Sequence, residues 1–409
     1  MRLVAFIVCF LILSFDSLGQ WQYINSGTTQ TLYDLTVLNP DTLFVVGDSG
    51  LVMKSFDGGT TWINVSLNST DRLVAVDFRD HIHGIITTNE GLILKTDDGG
   101  STWDSLYTSQ ANSVAKSIKL TNDSCIFVAG YFISGNILVS YDSGQTWTID
   151  SLFNFGLDVV TSIDTFNDSI CVAVTQFASV FLSYNKGITW TLIRTGGGND
   201  GANAVQILND STYLATGCEP NCDWCFIRTV DSGISWYGPG TPKGQDLFFF
   251  NDGTGHIIRG CGGAGSIISY SQDFGITYID TYNSLSYDTM LTSIQFADYL
   301  TGYSVGTNGV ILKTTNGGVT SINENELKIV SFYPNPIHSS ATIDVNAIFE
   351  TADLKIYNQI GELILQQLLS EKQTVLNFEG STNGIYYYQI YINSTLSITG
   401  KFLVQVTGR

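Results

Sequence analysis

One eight-residue pattern, Ser/Thr-x-Asp/Asn-x-Gly-x-Thr-Trp, returns seven times in this 409-residue chain, with small departures. The copies begin at Ser55, Thr96, Ser140, Ser183, Thr229, Ser271 and Thr314, so they are 41 to 46 residues apart. Self-similarity at that period means one supersecondary unit repeated, each burying its apolar face only by stacking on its neighbours. The stretch before the last copy shows the unit plainly. Leu291 to Phe296 alternates as a strand does, Asp298 to Thr301 turns, Gly302 to Gly306 returns, and Val310 to Thr314 follows a second turn. The box then closes a third hairpin.

The residue types in the box look catalytic but suit a hairpin. Its Asp can accept hydrogen bonds from backbone N–H groups two residues on, as in an Asx turn. Its Gly can take the positive φ of a tight turn, and the Trp offers a large apolar plate. Four strands per unit and a period near 43 residues predict an all-β fold, a seven-bladed β-propeller over residues 20–321. Trp21-Gln22-Tyr23-Ile24-Asn25 resembles the strand after each box but has no box before it, whereas the seventh box runs into Thr320-Ser321 without a Trp. The N-terminal strand is therefore expected to complete the seventh blade, zipping the chain ends and removing exposed edges.

Residues 1–19 read as a secretory signal: Arg2, an apolar run from Leu3 to Phe15, then small residues before Gln20. The residues before Cys9 are too large for a lipoprotein signal, and no later stretch has the length of a membrane span. The net charge is −19, yet the tail from Leu327 has five basic and six acidic residues, so the excess lies on the repeats. That acidity argues against nucleic-acid partners. Six cysteines follow the signal. Cys218, Cys222, Cys225 and Cys261 are disulfide candidates in an oxidising compartment, with zinc the less favoured reading. Cys125 and Cys171 fall in strand-like runs and read as buried free thiols on opposite faces.

The box resembles the Asp-box of sialidases and sortilin-type receptors. The longer pattern from Gly302 to Gly318 resembles more closely the photosystem II stability/assembly factor family of seven-bladed propellers. The tail is similar to the C-terminal sorting domain of the type IX secretion system, through Tyr333-Pro334-Asn335-Pro336, Gly361, Gly384, Tyr386 and Lys401. Residues 322–326 read as a linker and 327–409 as a small β-sandwich. This resemblance implies contact with the type IX secretion machinery, export to the cell surface or medium, and removal of the tail.

No catalytic constellation is legible. The repeats hold only Arg72, Arg79, Arg194, Arg228 and Arg259 as arginines, and Arg228 stands where Lys54, Lys95 and Lys313 precede other boxes. His81-Ile82-His83 lies in a polar turn, and the glycine-rich run from Thr195 to Gly201 lacks the Lys-Ser/Thr of a phosphate loop. The expectation is a secreted or surface binding or adhesion module for glycan or protein, without cofactor, metal or membrane insertion. The alternative is a hydrolase or lyase acting on polysaccharide. Strand counting puts the variable loops at the end opposite the boxes, with Tyr131, Phe153, Trp224, Tyr237 and Tyr282 as candidate ligand contacts.

Overall fold

The computed structural model describes residues 21–108, 113–122, 125–132, 135–152, 159–197, 201–217, 226–238, 243–260, 265–284, 288–319, 330–334, 336–345, 351–358, 362–378, 380–392 and 396–405. The signal segment, Phe153, Trp224, Cys218, Cys222, Cys225, Cys261, Asn335, Gly361 and the linker lie outside them. The chain divides into two compact units, Met1–Thr320 and Ser321–Arg409.

The first unit is a β-propeller. Among its described residues are seven antiparallel sheets in chain order. Blade one is Leu32–Val37, Leu43–Gly47, Val52–Ser55 and Ile63–Asn64. The inner strands of the next five blades are Leu73–Phe78, Val114–Leu120, Val160–Phe166, Ala204–Ile207 and Gly244–Phe249. Blade seven takes Leu291–Phe296, Gly302–Gly306 and Ile311–Thr314, and its fourth strand is the N-terminal Gln22–Ile24, in register Gln22 to Lys313 and Ile24 to Ile311. The expected closure is therefore present. Each inner strand packs on the next in cyclic order, the seventh against the first.

The middle strands are mostly apolar because both of their faces are buried. In blade one, Leu43 and Val45 pack with Tyr303 and Val305 of blade seven, while Phe44 and Val46 pack with Val76 and Phe78 of blade two. Phe44 and Phe78 stack with ring centres 3.7 Å apart. Cys125 and Cys171 are both buried outside any disulfide. They face opposite ways on their own blades and so meet in the one cluster between blades three and four.

The box geometry repeats from blade to blade. In the first, Ser55 Oγ donates to Asp57 Oδ1 (2.8 Å) and accepts from Gly59 N–H (2.8 Å). Asp57 in turn accepts from Thr61 N–H (2.8 Å) and from the Thr61 hydroxyl (2.6 Å). The bond from the box Asp thus reaches four residues on rather than two, because the Ser/Thr hydroxyl has already taken the glycine N–H. Only in the last box does Asn316 accept from Gly318, two residues on (3.2 Å). The N–H and hydroxyl of Thr102 hold the Asp98 carboxyl down to about 2. Every box glycine has positive φ, from 69° at Gly318 to 90° at Gly144. Trp21 completes the seventh box from the other end of the chain. A Cβ on Gly318 would lie 2.7 Å from its indole nitrogen, and Trp21 meets Phe296 edge to face at 5.8 Å.

The described residues of the second unit form two sheets. One orders Val330–Tyr333, Ser340–Val345 and Gln373–Asn377; the other orders Leu363–Leu369, Ala352–Tyr357, Gly384–Ile392 and Leu396–Val404. They share a core around Ile343, Leu354, Phe378 and Phe402. Tyr386 is buried there, its hydroxyl donating to the Thr382 carbonyl (3.0 Å), and Lys401 pairs with Tyr387 through the backbone. Tyr333 and Pro334 are exposed and joined by a cis peptide bond, and Pro336 is half-buried.

Candidate functional site: the axial channel

A polar channel runs down the propeller axis, lined by the seven inner strands in two connected cavities of about 320 and 370 Å³. Asp34, Ser117, Ser162, Ala204, Asp246 and Ser293 line both, forming a waist between them. Toward the boxes lie Asp77, Lys119, Asp164, Gln206 and Gln295. Toward the opposite end lie Tyr33, Arg72, Asn89, Lys116, Asn203 and Gln245.

The box-side residues are committed to holding the blades together. Asp34 accepts from Val76 N–H of blade two (2.9 Å), and Asp77 from Leu120 N–H of blade three (2.8 Å). Lys119 of blade three pairs with Asp164 of blade four at 3.1 Å. Asp164 accepts from Ile207 N–H of blade five (2.8 Å), and Gln206 from Phe249 N–H of blade six (2.7 Å). Asp246 accepts from Ile294 N–H of blade seven (2.9 Å), and Gln295 from Val37 N–H of blade one (3.0 Å). Seven links therefore complete a circle. Each satisfies an inner-strand polar group that would be costly to leave unmade.

Burial pushes the Asp34 carboxyl up to about 7, with the Asp246 carboxylate adding to the shift. Burial also raises Asp77 and Asp246. Lys119 moves further toward its charged form, chiefly through the Asp164 carboxylate. A second set of links runs outside the channel. Lys54 Nζ donates to the Gly99 carbonyl (2.7 Å), Lys313 Nζ to Gly58 (2.8 Å) and Arg228 to Asp273 (3.4 Å), each reaching the box of the next blade. Arg228 is thus a repeat feature with a defined task.

The opposite mouth is built differently. Six of the inner strands carry a β-bulge near their first residues, at Tyr33, Val74, Lys116, Thr161, Gln245 and Thr292. Two consecutive side chains then face the channel on each strand, which a regular pleat forbids. Several of these residues are engaged. Thr161 donates to the Ala202 carbonyl (2.7 Å), Thr292 to Leu32 (2.8 Å), and Asn203 to the Gln245 side chain (3.4 Å). Arg72 pairs with Asp48 at 3.3 Å and lies over the Tyr33 ring at 4.8 Å. Lys116 is exposed, and among the described residues it has neither an ion pair nor a side-chain hydrogen bond.

The three aromatic candidates among the described residues, Tyr131, Tyr237 and Tyr282, do not converge. Tyr131 ends the second strand of blade three, half-buried. Tyr282 packs between blades six and seven, its hydroxyl bonded to that of exposed Tyr23. Tyr237 pairs through its backbone with Arg228, the residue before the fifth box, so it lies on the outer edge near the box end rather than at the far end. The guanidinium of Arg228 covers its ring at 4.9 Å. Phe153 and Trp224 are outside the described residues. Sequence reading missed the bulges; the available signal was a pair of consecutive polar residues at the start of five of the six bulged strands, Val74-Ala75 of blade two being the exception.

Among the described residues no group of three His, Cys, Asp or Glu side chains is arranged to hold a metal. His83 Nδ1–H donates to the Asp80 carboxylate within the same turn (2.7 Å). No described helix is long and apolar enough to cross a membrane.

Fold and tail together define an exported surface or secreted propeller. The sequence profile described as photosynthesis system II assembly factor YCF48 matches residues 14–187 and 62–219, and the chain belongs to that family. The profile described as secretion system C-terminal sorting domain matches residues 331–405, which marks the protein for type IX secretion to the cell surface or medium. No curated protein matches the chain in sequence. Among solved structures, YCF48 bound to D1 peptide is 21% identical, with a TM-score of 0.56 over 73% of this chain and 97% of that one. YCF48 from Cyanidioschyzon merolae is 19% identical, with a TM-score of 0.57 over 72% and 98%. PorZ, a surface component of the type IX secretion system of Porphyromonas gingivalis, is 15% identical, with a TM-score of 0.50 over 92% of this chain and 59% of PorZ. At these identities the likeness speaks for the fold.

Proposed function

We propose that the protein is a binding module, displayed on the cell surface or released, that takes a glycan or protein ligand at the propeller end opposite the boxes. The observation that carries this reading is the contrast between the two channel ends. The box-side polar groups are spent on the inter-blade circle, while the opposite mouth keeps an exposed, unpaired lysine beside a cavity of about 370 Å³. That volume is within the usual range for small-ligand pockets, ~300–1,000 Å³. The solved YCF48 with a bound D1 peptide is a case of a family member holding a ligand. In this reading the sorting tail is a separate domain that engages the secretion machinery and is then removed.

One observation favours a second reading, polysaccharide cleavage. The Ser293 hydroxyl oxygen is 2.9 Å from Asp34 and 3.0 Å from Asp246, so two carboxyl groups lie close together at the cavity floor, as glycoside hydrolases require. Against it, Asp34 also accepts from the N–H groups of Leu35 and Val76, and Asp246 from those of Leu247 and Ile294. Carboxyls held this way serve as wall. A screen of the purified chain against glycans and peptides, with hydrolysis followed in parallel, separates the two. Saturable binding without turnover supports the module; turnover lost in Asp34→Asn supports the enzyme.

A further inference from the structure

Building on the binding-module reading, we infer that the mouth opposite the boxes is a site for a carboxylated sugar, a hexuronate residue of an acidic glycan. The anion position is Lys116. The bulge between Ala115 and Ser117 takes it out of strand pairing, its side chain lines the cavity, and no described carboxylate neutralises it. The net charge of −19 opposes polyanions at long range, so an exposed lysine at the axial opening favours at short range a ligand with a single anionic group. Arg72 stands on the neighbouring blade at the same rim, more than half exposed despite its contact with Asp48, and an exposed pair of that kind is readily shared.

The rest of the site suits hydroxyl groups. Asn89, Asn203 and Gln245 line the same cavity, and side-chain amides offer donor and acceptor together, as a polyol needs. At the floor the Asp34 and Asp246 carboxyls, with the Ser117, Ser162 and Ser293 hydroxyls beside them, give a polar surface that disfavours a second anionic group. A ligand with one carboxylate at the rim and hydroxyls below matches that polarity. On the box side of the channel an extended peptide would find the inner-strand N–H groups of Val37, Val76, Leu120, Ile207, Phe249 and Ile294 already taken.

The test is calorimetric titration of the full chain with a galactoside trisaccharide ending in a single galacturonate, with the neutral trigalactoside and an acidic peptide as comparisons. The uronate trisaccharide should bind saturably and more weakly as salt rises, and the neutral sugar should bind at least tenfold less well. Lys116→Gln should weaken uronate binding about tenfold, the scale of a charge-assisted hydrogen bond. Lys116→Arg should retain most of it, and Lys95→Gln on the box side should leave it unchanged. Lys116 has no partner to lose among the described residues, so an unchanged melting temperature certifies the variant. Uronate binding that is absent, or indifferent to Lys116→Gln, overturns the inference. If neutral glycan or peptide binds instead, the inference falls while the binding module stands. Uronate binding accompanied by cleavage keeps the inference and overturns the non-catalytic reading.

Discussion

Replacing Trp21 with alanine probes the closure of the ring from a single side chain. Trp21 is 6% exposed and packs with Ile258, Ile268, Leu291, Ile294 and Leu312. It also meets His256 and Phe296 edge to face, at 5.9 and 5.8 Å. Removing a buried Trp costs about 3–5 kcal/mol, and the two aromatic contacts place this one in the upper half of that range. The bond from its indole nitrogen to Thr281 is long at 3.4 Å and adds little. Working against this, a strand at the chain end can fray, which lowers the cost to about 3 kcal/mol. For a ring of this size about 2–3 °C is lost per kcal/mol, so the melting temperature should fall by roughly 6–9 °C. Tyr23→Ala is the control: Tyr23 is on the same strand but 61% exposed, and its loss should cost about 1 kcal/mol or less. Differential scanning calorimetry reads both. A Trp21→Ala melting temperature within a degree of wild type would refute the role given to the N-terminal strand.

Burial raises the Asp34 carboxyl to about 7 in the folded state, against 3.8 for the free group, so the folded protein holds more protons between those values. Stability should therefore fall as pH rises from about 4 to 7, and Asp34→Asn should flatten that slope in pH-dependent melting. Lys119→Met would strand the Asp77 and Asp164 carboxyls opposite it; since the channel admits water, the expected loss is about 2 kcal/mol by denaturant titration, below that of a fully buried pair. Mass spectrometry of the surface form should find a C-terminus within or near residues 321–326, and an intact Arg409 end would contradict removal of the tail. Thiol titration of protein made under oxidising conditions should find bonding among Cys218, Cys222, Cys225 and Cys261, and six free thiols would sink that expectation.

The repeat made the architecture readable because each box carries its own turn chemistry: a hydroxyl, a carboxyl or amide, and a glycine at fixed spacing. Closure was readable from what was missing, a Trp after the seventh box and a box before Trp21. The channel was not. Asp34, Asp77, Asp164 and Asp246 look like any surface acid in sequence, and only the circular stacking of inner strands reveals that each reaches the next blade's N–H. The mouth was hidden for a different reason. A bulge leaves no clear mark in the alternation pattern, so Lys116 reads as an outward residue of a regular strand. The aromatic residues drew attention because of their size, yet packing claimed Tyr282 and the outer edge of blade five claimed Tyr237.

Hydrogen exchange of the full chain with and without its best ligand from the binding screen tests the placement of the site most directly. Protection should concentrate in peptides spanning residues 72–76, 114–117 and 201–206, which carry the mouth, while the box turns at residues 55–61, 96–102 and 140–146 keep their free rates. Protection confined to the box turns, with the mouth peptides unchanged, would put the binding surface at the other end of the propeller and contradict the account.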